Sequence, residues 1–460
     1  MVALIQFVDS IAASPTVRLD VNDAVSWFCT SFKAPPPRLR RSVSANAMRD
    51  GDHVSSASYE NRTLELELTL VNATTEDAAA TEMQKLWRQL DRADNFLRYQ
   101  PEGMTKPVFF RLFRSDANDL EELWTVPIAR KITIDLLAEP FALGLPETLG
   151  PYTVNNDPAA ASNPCYFDVT GVIGDVPALP LLRNTTAKRG QTIMAIRQHG
   201  TPASAPVAVQ CESMSLGTAT TNPGGGPDAV MSGTGTNNYV RTSFAASTDF
   251  AMRAAYSWTA NADTLGKYVI YAAVRRSDNT SVITVGAGRT DLATPTATAL
   301  PLTTSRILVR LGMVDLSSPA ANPQGGTTIA VPSVQLWAGR ASGAGTLDWD
   351  CMFLIPADRA MLHARGDAGG VLTDFENWFD SGTETAIVVA DGASPTGLAV
   401  QTQAPMQTSG SFLSLAPNQT NRIWWLTQDA SSVPGHAKTI TDSVSVSYRP
   451  RYLHVRPSAS

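Results

Sequence analysis

Residues 62–71 run RTLELELTLV. Successive side chains of an extended chain point to opposite faces, so Leu64, Leu66, Leu68 and Leu70 share one side, and Thr63, Glu65, Glu67 and Thr69 the other. Leucine and glutamate are both good helix formers. The two-residue period therefore overrides propensity and predicts a strand with one buried and one polar face. Just upstream, RDGDHVSSASYEN gathers Asp50, Asp52, His53 and Glu60, a grouping that raises the question of a metal site or an acid–base pair. Asp50-Gly51 reads as a turn, and His53 has no partner at ligand spacing. The whole stretch reads as architecture.

The flanking segments extend the pattern. VALIQFV, VRLDV and AVSWFCTSF read as strands, followed by the Pro- and Arg-rich bend KAPPPRLRRS with Arg38, Arg40 and Arg41. After residue 71 the period becomes helical. Thr74 or Thr75 is the expected N-cap, Glu76 and Asp77 suit the first turn, and Ala79, Met83, Leu86, Trp87, Leu90 and Leu97 fall near one face. Pro101 and Gly103 are the expected stop. VFFRLFRS and Leu123–Leu137 return to strand character around an acidic turn, SDANDLEE. The first unit is thus a mostly antiparallel β-domain with one packed helix.

Past AEPFALGLPET the stretch PYTVNNDPAAASNP reads as a linker. From about Ala208 onward, short strands alternate with Gly, Asn and Asp turns, the texture of β-sandwiches. GKYVIYAAVRR, SVITVGAG, RILVRLGMVDLS and SVQLWAGR are strand candidates, LDWDCMFLIPAD reads as a sandwich edge, and TTNPGGGPDAVMSGTGTNN reads as a loop. No repeat recurs at a fixed period.

Length and composition agree. A chain of 460 residues is expected to hold two to four units. Charged residues make up 17%, below the roughly 25% of average soluble chains. Residues 1–150 hold 16 Lys+Arg and 21 Asp+Glu, and the rest of the chain 20 and 21, so the texture changes near residue 150. The net charge of −6 argues against a nucleic-acid coat, which needs a basic surface. Cys29, Cys165, Cys211 and Cys351 lie far apart and read as reduced core thiols. The first residues make a poor secretion signal, with Asp9 inside the apolar stretch.

A search for chemistry finds no Gly-x-Ser-x-Gly, no His-Glu-x-x-His and no Walker-type loop. His53, His199, His363, His436 and His454 are scattered. Asp348 and Asp350 form a spaced carboxylate pair, and a glycosidase pair drawn from distant segments stays open as an alternative, which would make the chain a cell-wall glycoside hydrolase with accessory carbohydrate-binding modules. No cofactor, metal or catalytic residue is expected. Tyr256, Trp258, Trp337 and Trp349 lie where a sugar-binding module places stacking rings, although the same rings also serve as sandwich core.

Taken in order, APPPRLRRS, the Asp-Gly turn, YENRTLELELTLV, a helix ending LDRADNFLRYQ and a strand pair closing with LLAEPFALG resemble the distal tail proteins of long-tailed (siphovirus-type) bacteriophages. GDVPALPLL and SFLSLAPNQTNRIWWL resemble the second β-domain of that family. The similarity covers residues 1–200 and about 365–460. It implies a mainly β chain: a tail-tube-like belt domain at 1–148, a galectin-like sandwich at 149–204 plus 361–460, and an inserted jelly-roll at 205–360 of the kind carbohydrate-binding modules use. It also implies a hexameric ring of identical copies in the virion tail tip, or baseplate. The partners would be tail tube, tail hub and tape measure proteins, with host cell-wall glycans at the insert and genomic DNA in passing. Glu65 and Glu67 are then expected on a channel wall or at a subunit interface.

Overall fold

The computed structural model describes residues 3–45, 52–115, 117–122, 130–156, 165–185, 190–199, 208–221, 239–257, 259–260, 266–289, 294–316, 329–330, 333–357, 360–365, 375–390, 403–428 and 441–454. The chain is mainly β, as expected, with a single α-helix among these residues. It divides into two units. The first comprises Met1–Glu147, Val172–Ala178 and Tyr448–Ser460, and the second Thr148–Gly171 and Leu179–Ser447.

In the first unit the strands are β1 (Leu4–Val8), β2 (Val17–Asp20), β3 (Trp27–Lys33), β4 (Leu39–Ala45), β5 (Asp52–Tyr59) and β6 (Arg62–Leu70). Helix α1 (Glu76–Leu90) follows, then β7 (Asn95–Gln100), β8 (Val108–Leu112), β9 (Ala117–Glu122) and β10 (Arg130–Ala138). They form an antiparallel sheet in the order β2-β1-β7-β8-β10-β6-β3, with β9 also on β10, while β4 and β5 pair with each other as a separate ribbon. The leucines of β6 face Ile132, Ile134 and Leu136 of β10, all buried, and α1 covers them with Ala79, Met83, Leu86 and Leu90. Each leucine so enclosed contributes about 1.5–3 kcal/mol relative to exposure.

Thr75 caps the helix, its hydroxyl accepting from the Ala78 N–H at 3.1 Å. The helix ends at Leu90, short of the expected Leu97. Beyond it NFLRYQ alternates in burial and joins the sheet as β7, so Leu97 is a core residue of a strand. Trp87, expected inward, lies a residue off the buried stripe and is 40% exposed. The acidic SDANDLEE does not form the expected turn, because residues 117–122 pair with β10. Arg62, at the head of β6, is buried. Its guanidinium donates to the Pro140 carbonyl (2.7 Å from Nε) and to the carbonyls of Tyr452 and Leu453 (3.4 Å), fastening Arg451–Tyr452 to this unit. Burial lowers its pKa to about 10.

Among the described residues the second unit holds four antiparallel sheets of five or six strands, besides a short ribbon of Thr259–Ala260 with Ile329–Ala330. The first contains Glu147–Asn155, Thr441–Tyr448, Leu181–Asn184, Phe375–Asp380, Thr385–Ala390 and Gln403–Pro405; the expected linker therefore begins as a strand. The second contains Tyr166–Val169, Thr420–Gln428, Gln191–His199, Ala360–Arg365 and Gln407–Gly410. Phe379 and Trp425 meet edge-on between these two at 5.6 Å, and Trp425 Nε1 and Thr427 Oγ1 donate to Asp442 at 3.2 and 2.7 Å.

The third sheet runs Thr220–Thr221, Val240–Phe244, Gly345–Pro356, Lys267–Arg276 and Ile307–Asp315. The fourth runs Ser215–Leu216, Thr248–Tyr256, Val334–Arg340, Ile283–Arg289 and Thr298–Ala299. The strand Gly345–Pro356 lies inside the third sheet, so the reading of LDWDCMFLIPAD as an edge is corrected. Its outline misleads because both faces are dry. Leu347 and Trp349, then Met352 and Leu354, enter the core shared with the fourth sheet. Cys351, Phe353 and Ile355 enter a core shared with Ile193, Ala195, Trp424 and Leu426 of the second sheet. A bulge makes the switch from odd to even residues. Trp349 pairs with Val274 and Cys351 with Ala273, leaving Asp350 as the extra residue.

This second core sets a prediction. Deleting residues 205–360 removes its far side and exposes Ile193, Ala195, Trp424 and Leu426. The shortened chain should aggregate and bind hydrophobic dyes, and polar replacement of Trp424 and Leu426 should partly restore solubility. Soluble, dye-negative shortened protein would contradict this packing.

Candidate functional site

The polar face of β6 is the first candidate. Lys33 on β3 donates to Glu65 at 2.5 Å, and this partner raises the lysine pKa. Glu65 stands opposite Asp135 of β10, and Glu67 stands between Thr133 and Ser31. Like charges directly opposed across a ladder are unfavourable, and Lys33 offsets part of that cost at Glu65. Both glutamates are half-buried on the face away from the leucine core. Beside them the same face carries Leu137 and Phe113, 41% and 42% exposed and joined by a Phe113 N–H to Leu137 carbonyl bond of 2.9 Å. The sequence reading passed over this apolar patch, whose signal is a leucine on the polar phase of β10.

Asp50 and Gly51 lie outside the described residues. His53 belongs to β5, and Ala45 is its strand neighbour's last residue. On β3, burial pushes the Cys29 thiol up to about 11, and Glu67 adds to the rise, so the group stays protonated at neutral pH.

The ring candidates separate. Trp349 is enclosed by the core, its Nε1 donating to Thr242 Oγ1 at 3.1 Å, so neither face is open to a sugar. Tyr256 is partly buried against the same core. Trp258 lies outside the described residues. Trp337 is half-buried on the outward phase of Val334–Arg340, 5.7 Å from Phe250 and hydrogen-bonded through Nε1 to Gln335 at 3.1 Å. Gly286 sits across from it.

The carboxylate pair is structural. Arg241 grips Asp348 in a fork of 2.6 and 2.9 Å, and Arg275 adds a third bond at 3.0 Å. Arg306 holds the buried Asp350 at 2.9 and 2.5 Å. These arginines were missed because their partners are distant in sequence. A buried carboxylate on the bulge needs a cation there. Among the described residues no group of three or more His, Cys, Asp or Glu side chains is placed to hold a metal ion. His363 is half-buried, and burial, then Arg310 and Arg365, lowers its pKa.

No family model matches the sequence, and no curated protein matches it. Among solved structures the chain is similar to the SPP1 Dit (gp 19.1) protein, described as a paradigm of hub adsorption apparatus in Gram-positive infecting phages. The identity is 9%, covering 98% of this chain and 99% of that one, with a TM-score of 0.37. It is also similar to a chain of the phage P2 baseplate in its activated conformation with Ca (10% identity, 76% and 98% covered, TM-score 0.25) and with Sr (8%, 76% and 98%, 0.24).

Two predictions rest on this geometry. Asp350→Ala strands Arg306 as a buried cation and should cost about 3–5 kcal/mol in denaturant unfolding, whereas the joint exchange Arg306→Met, Asp350→Leu should recover most of it. His363 favours its neutral form in the folded state. Its contribution is therefore complete above the unfolded pKa of about 6.5 and declines as the pH falls through that value. The melting temperature of His363→Gln should drop less than that of the original protein between neutral and mildly acidic pH. An equal drop would show that His363 does not carry the dependence.

Proposed function

We propose that this chain is a structural subunit of a bacteriophage tail tip, closing with identical copies into a ring, expected to be hexameric, that joins the tail tube to the hub and adhesion apparatus. The observation that carries the reading is the order of segments through the first unit: Pro–Arg bend, Asp-Gly turn, alternating strand, helix and closing strand pair. The form of that unit supports it. Its sheet ends on β2 and β3 among the described residues, with Val17 and Phe28 43% and 45% exposed at those ends. Exposed edges of this kind invite pairing with another chain, and a heterologous contact with the right rotation closes into a ring and removes them.

On this reading the first unit is the belt. Residues 149–204 with 361–460 form a galectin-like sandwich, and 205–360 form an inserted jelly-roll. Glu65 and Glu67 then line the channel or a subunit contact, and on a channel wall their charge keeps passing DNA from adhering. Trp337 is the ring best placed to meet a host glycan, because one side of it lies on the outward phase of the fourth sheet. Tube, hub and tape measure proteins are the neighbours, and no metal or cofactor enters.

Light scattering and negative-stain microscopy of the purified full chain test this. Closed rings of uniform subunit number are expected. A protein that stays monomeric at high concentration and shows no ring would sink the proposal.

A further inference from the structure

Within the second unit, one cluster of basic side chains stands without a counter-ion. The strand Ala360–Arg365 pairs with Gln191–His199 on one side and Gln407–Gly410 on the other. Leu362 and Ala364 are buried on one of its faces, and Met361, His363 and Arg365 share the other. Met361 packs on the core that joins the second sheet to the third, so His363 and Arg365 carry that face outward to its rim. Arg310 comes to the same rim from the third sheet. It stands opposite Tyr271 and shares its phase with Leu308, and both of those belong to this core. The charges of Arg310 and Arg365 reach the imidazole: after burial, they are what holds its pKa down.

Arg310 and Arg365 are exposed. Among the described residues no carboxylate pairs with either. The His363 Nε2 is buried and has no hydrogen-bond partner. Arg306, two residues before Leu308 on the same phase, is already committed to Asp350. The remaining neighbours carry no charge: Ile193 and Ser409 stand opposite His363, and Gln191 and Gln407 opposite Arg365. A buried ring nitrogen without a partner is costly, and like charges gathered around it add to that cost. A single anion bound among the three offsets both.

We infer that Arg310, His363 and Arg365 form a binding site for a tetrahedral oxyanion, a sulfate or phosphate group, with the two guanidiniums and the His363 Nε2–H as donors. Guanidinium forks match the oxygens of such a group. The chemistry is the same for the free ion and for an ester on a larger molecule, whose remainder has the solvent side of the arginines to occupy. A bound anion also supplies the counter-charge that the imidazolium lacks, so it raises the His363 pKa and affinity grows as the pH falls. Among the described residues the ionisable groups facing His363 are Arg365 on its own strand and Arg310 and Tyr271 across the seam. The arginines stay charged and Tyr271 stays protonated through the range in which an imidazole titrates, so the dependence belongs to His363.

Equilibrium dialysis of the full chain against labelled sulfate, with ionic strength held constant by chloride, tests the site. Sulfate keeps one charge state across the range, which isolates the protein's titration. Arg310→Gln and Arg365→Gln should each weaken binding at least about tenfold, whereas Arg88→Gln, exposed on α1, should leave it unchanged. Binding to the original protein should tighten at least about fivefold from about pH 8 to about pH 5.5, and His363→Gln should abolish that tightening. Thermal melting checks that each variant folds.

Competition separates the two sources. Glycerol phosphate displacing sulfate at lower concentration than inorganic phosphate assigns the site to an ester on a larger molecule, and the reverse order assigns it to the free ion. No binding of sulfate or phosphate at millimolar concentration overturns the inference. So does binding that the Arg310, Arg365 and His363 substitutions leave unchanged, or that Arg88→Gln weakens equally, since that is attraction to the protein's general charge.

Discussion

Successive side chains of a β-strand leave opposite faces of the sheet, and this constraint organises both units. In the first unit, β6 and β10 present leucines and isoleucines to α1 and charges to the other side, so a single helix is enough to complete the core. In the second unit, Gly345–Pro356 has a partner sheet on each side and must supply apolar atoms to both. A regular alternation would have carried Asp348 and Asp350 onto one face together. The bulge at Asp350 resets the phase, and Arg241, Arg275 and Arg306 neutralise the two carboxylates.

That reset explains why the second unit behaves as a stack of layers. Tyr271, Phe353 and Trp424 belong to one cluster although they come from segments that read as two separate sandwiches. Arg197 reaches the Tyr268 hydroxyl at 2.9 Å, and the Leu308 N–H donates to Gln428 Oε1 at 3.2 Å, so polar bonds cross the same seam. Burial holds the Tyr271 hydroxyl near pKa 12, which keeps the interior of that seam uncharged.

The parts of this fold that were legible in the sequence are those governed by local periodicity. RTLELELTLV, the helix start at Thr75 and most strands of the sandwiches follow from spacing alone. The end of α1 did not, because Asp91 to Asp94 interrupt the helix without a glycine or proline to mark it. SDANDLEE misled for a different reason: its acidic composition suits a turn, but β10 offers an edge that the backbone can pair with whatever the side chains. The candidate site was legible only in part. Glu65 and Glu67 fall on the polar face as the alternation requires, but the fate of Trp349 was decided by the bulge, and that of Leu137 and Phe113 by which strands α1 covers. Neither is encoded within a few residues of the site.

Arg62 ties the beginning of β6 to the carbonyls of Tyr452 and Leu453, and Ala142–Leu143 pairs with Arg451–Tyr452. The first unit therefore incorporates residues that follow the long second-unit segment in the sequence. On a ribosome moving at about 5–20 residues per second, the segment Leu179–Ser447 takes roughly 15–55 s to emerge. During that time the first unit lacks its closing strand and Arg62 lacks two of its acceptors, while the second unit gains nearly all of its own chain. Translation order thus holds back completion of the first unit until Arg451–Tyr452 has been made.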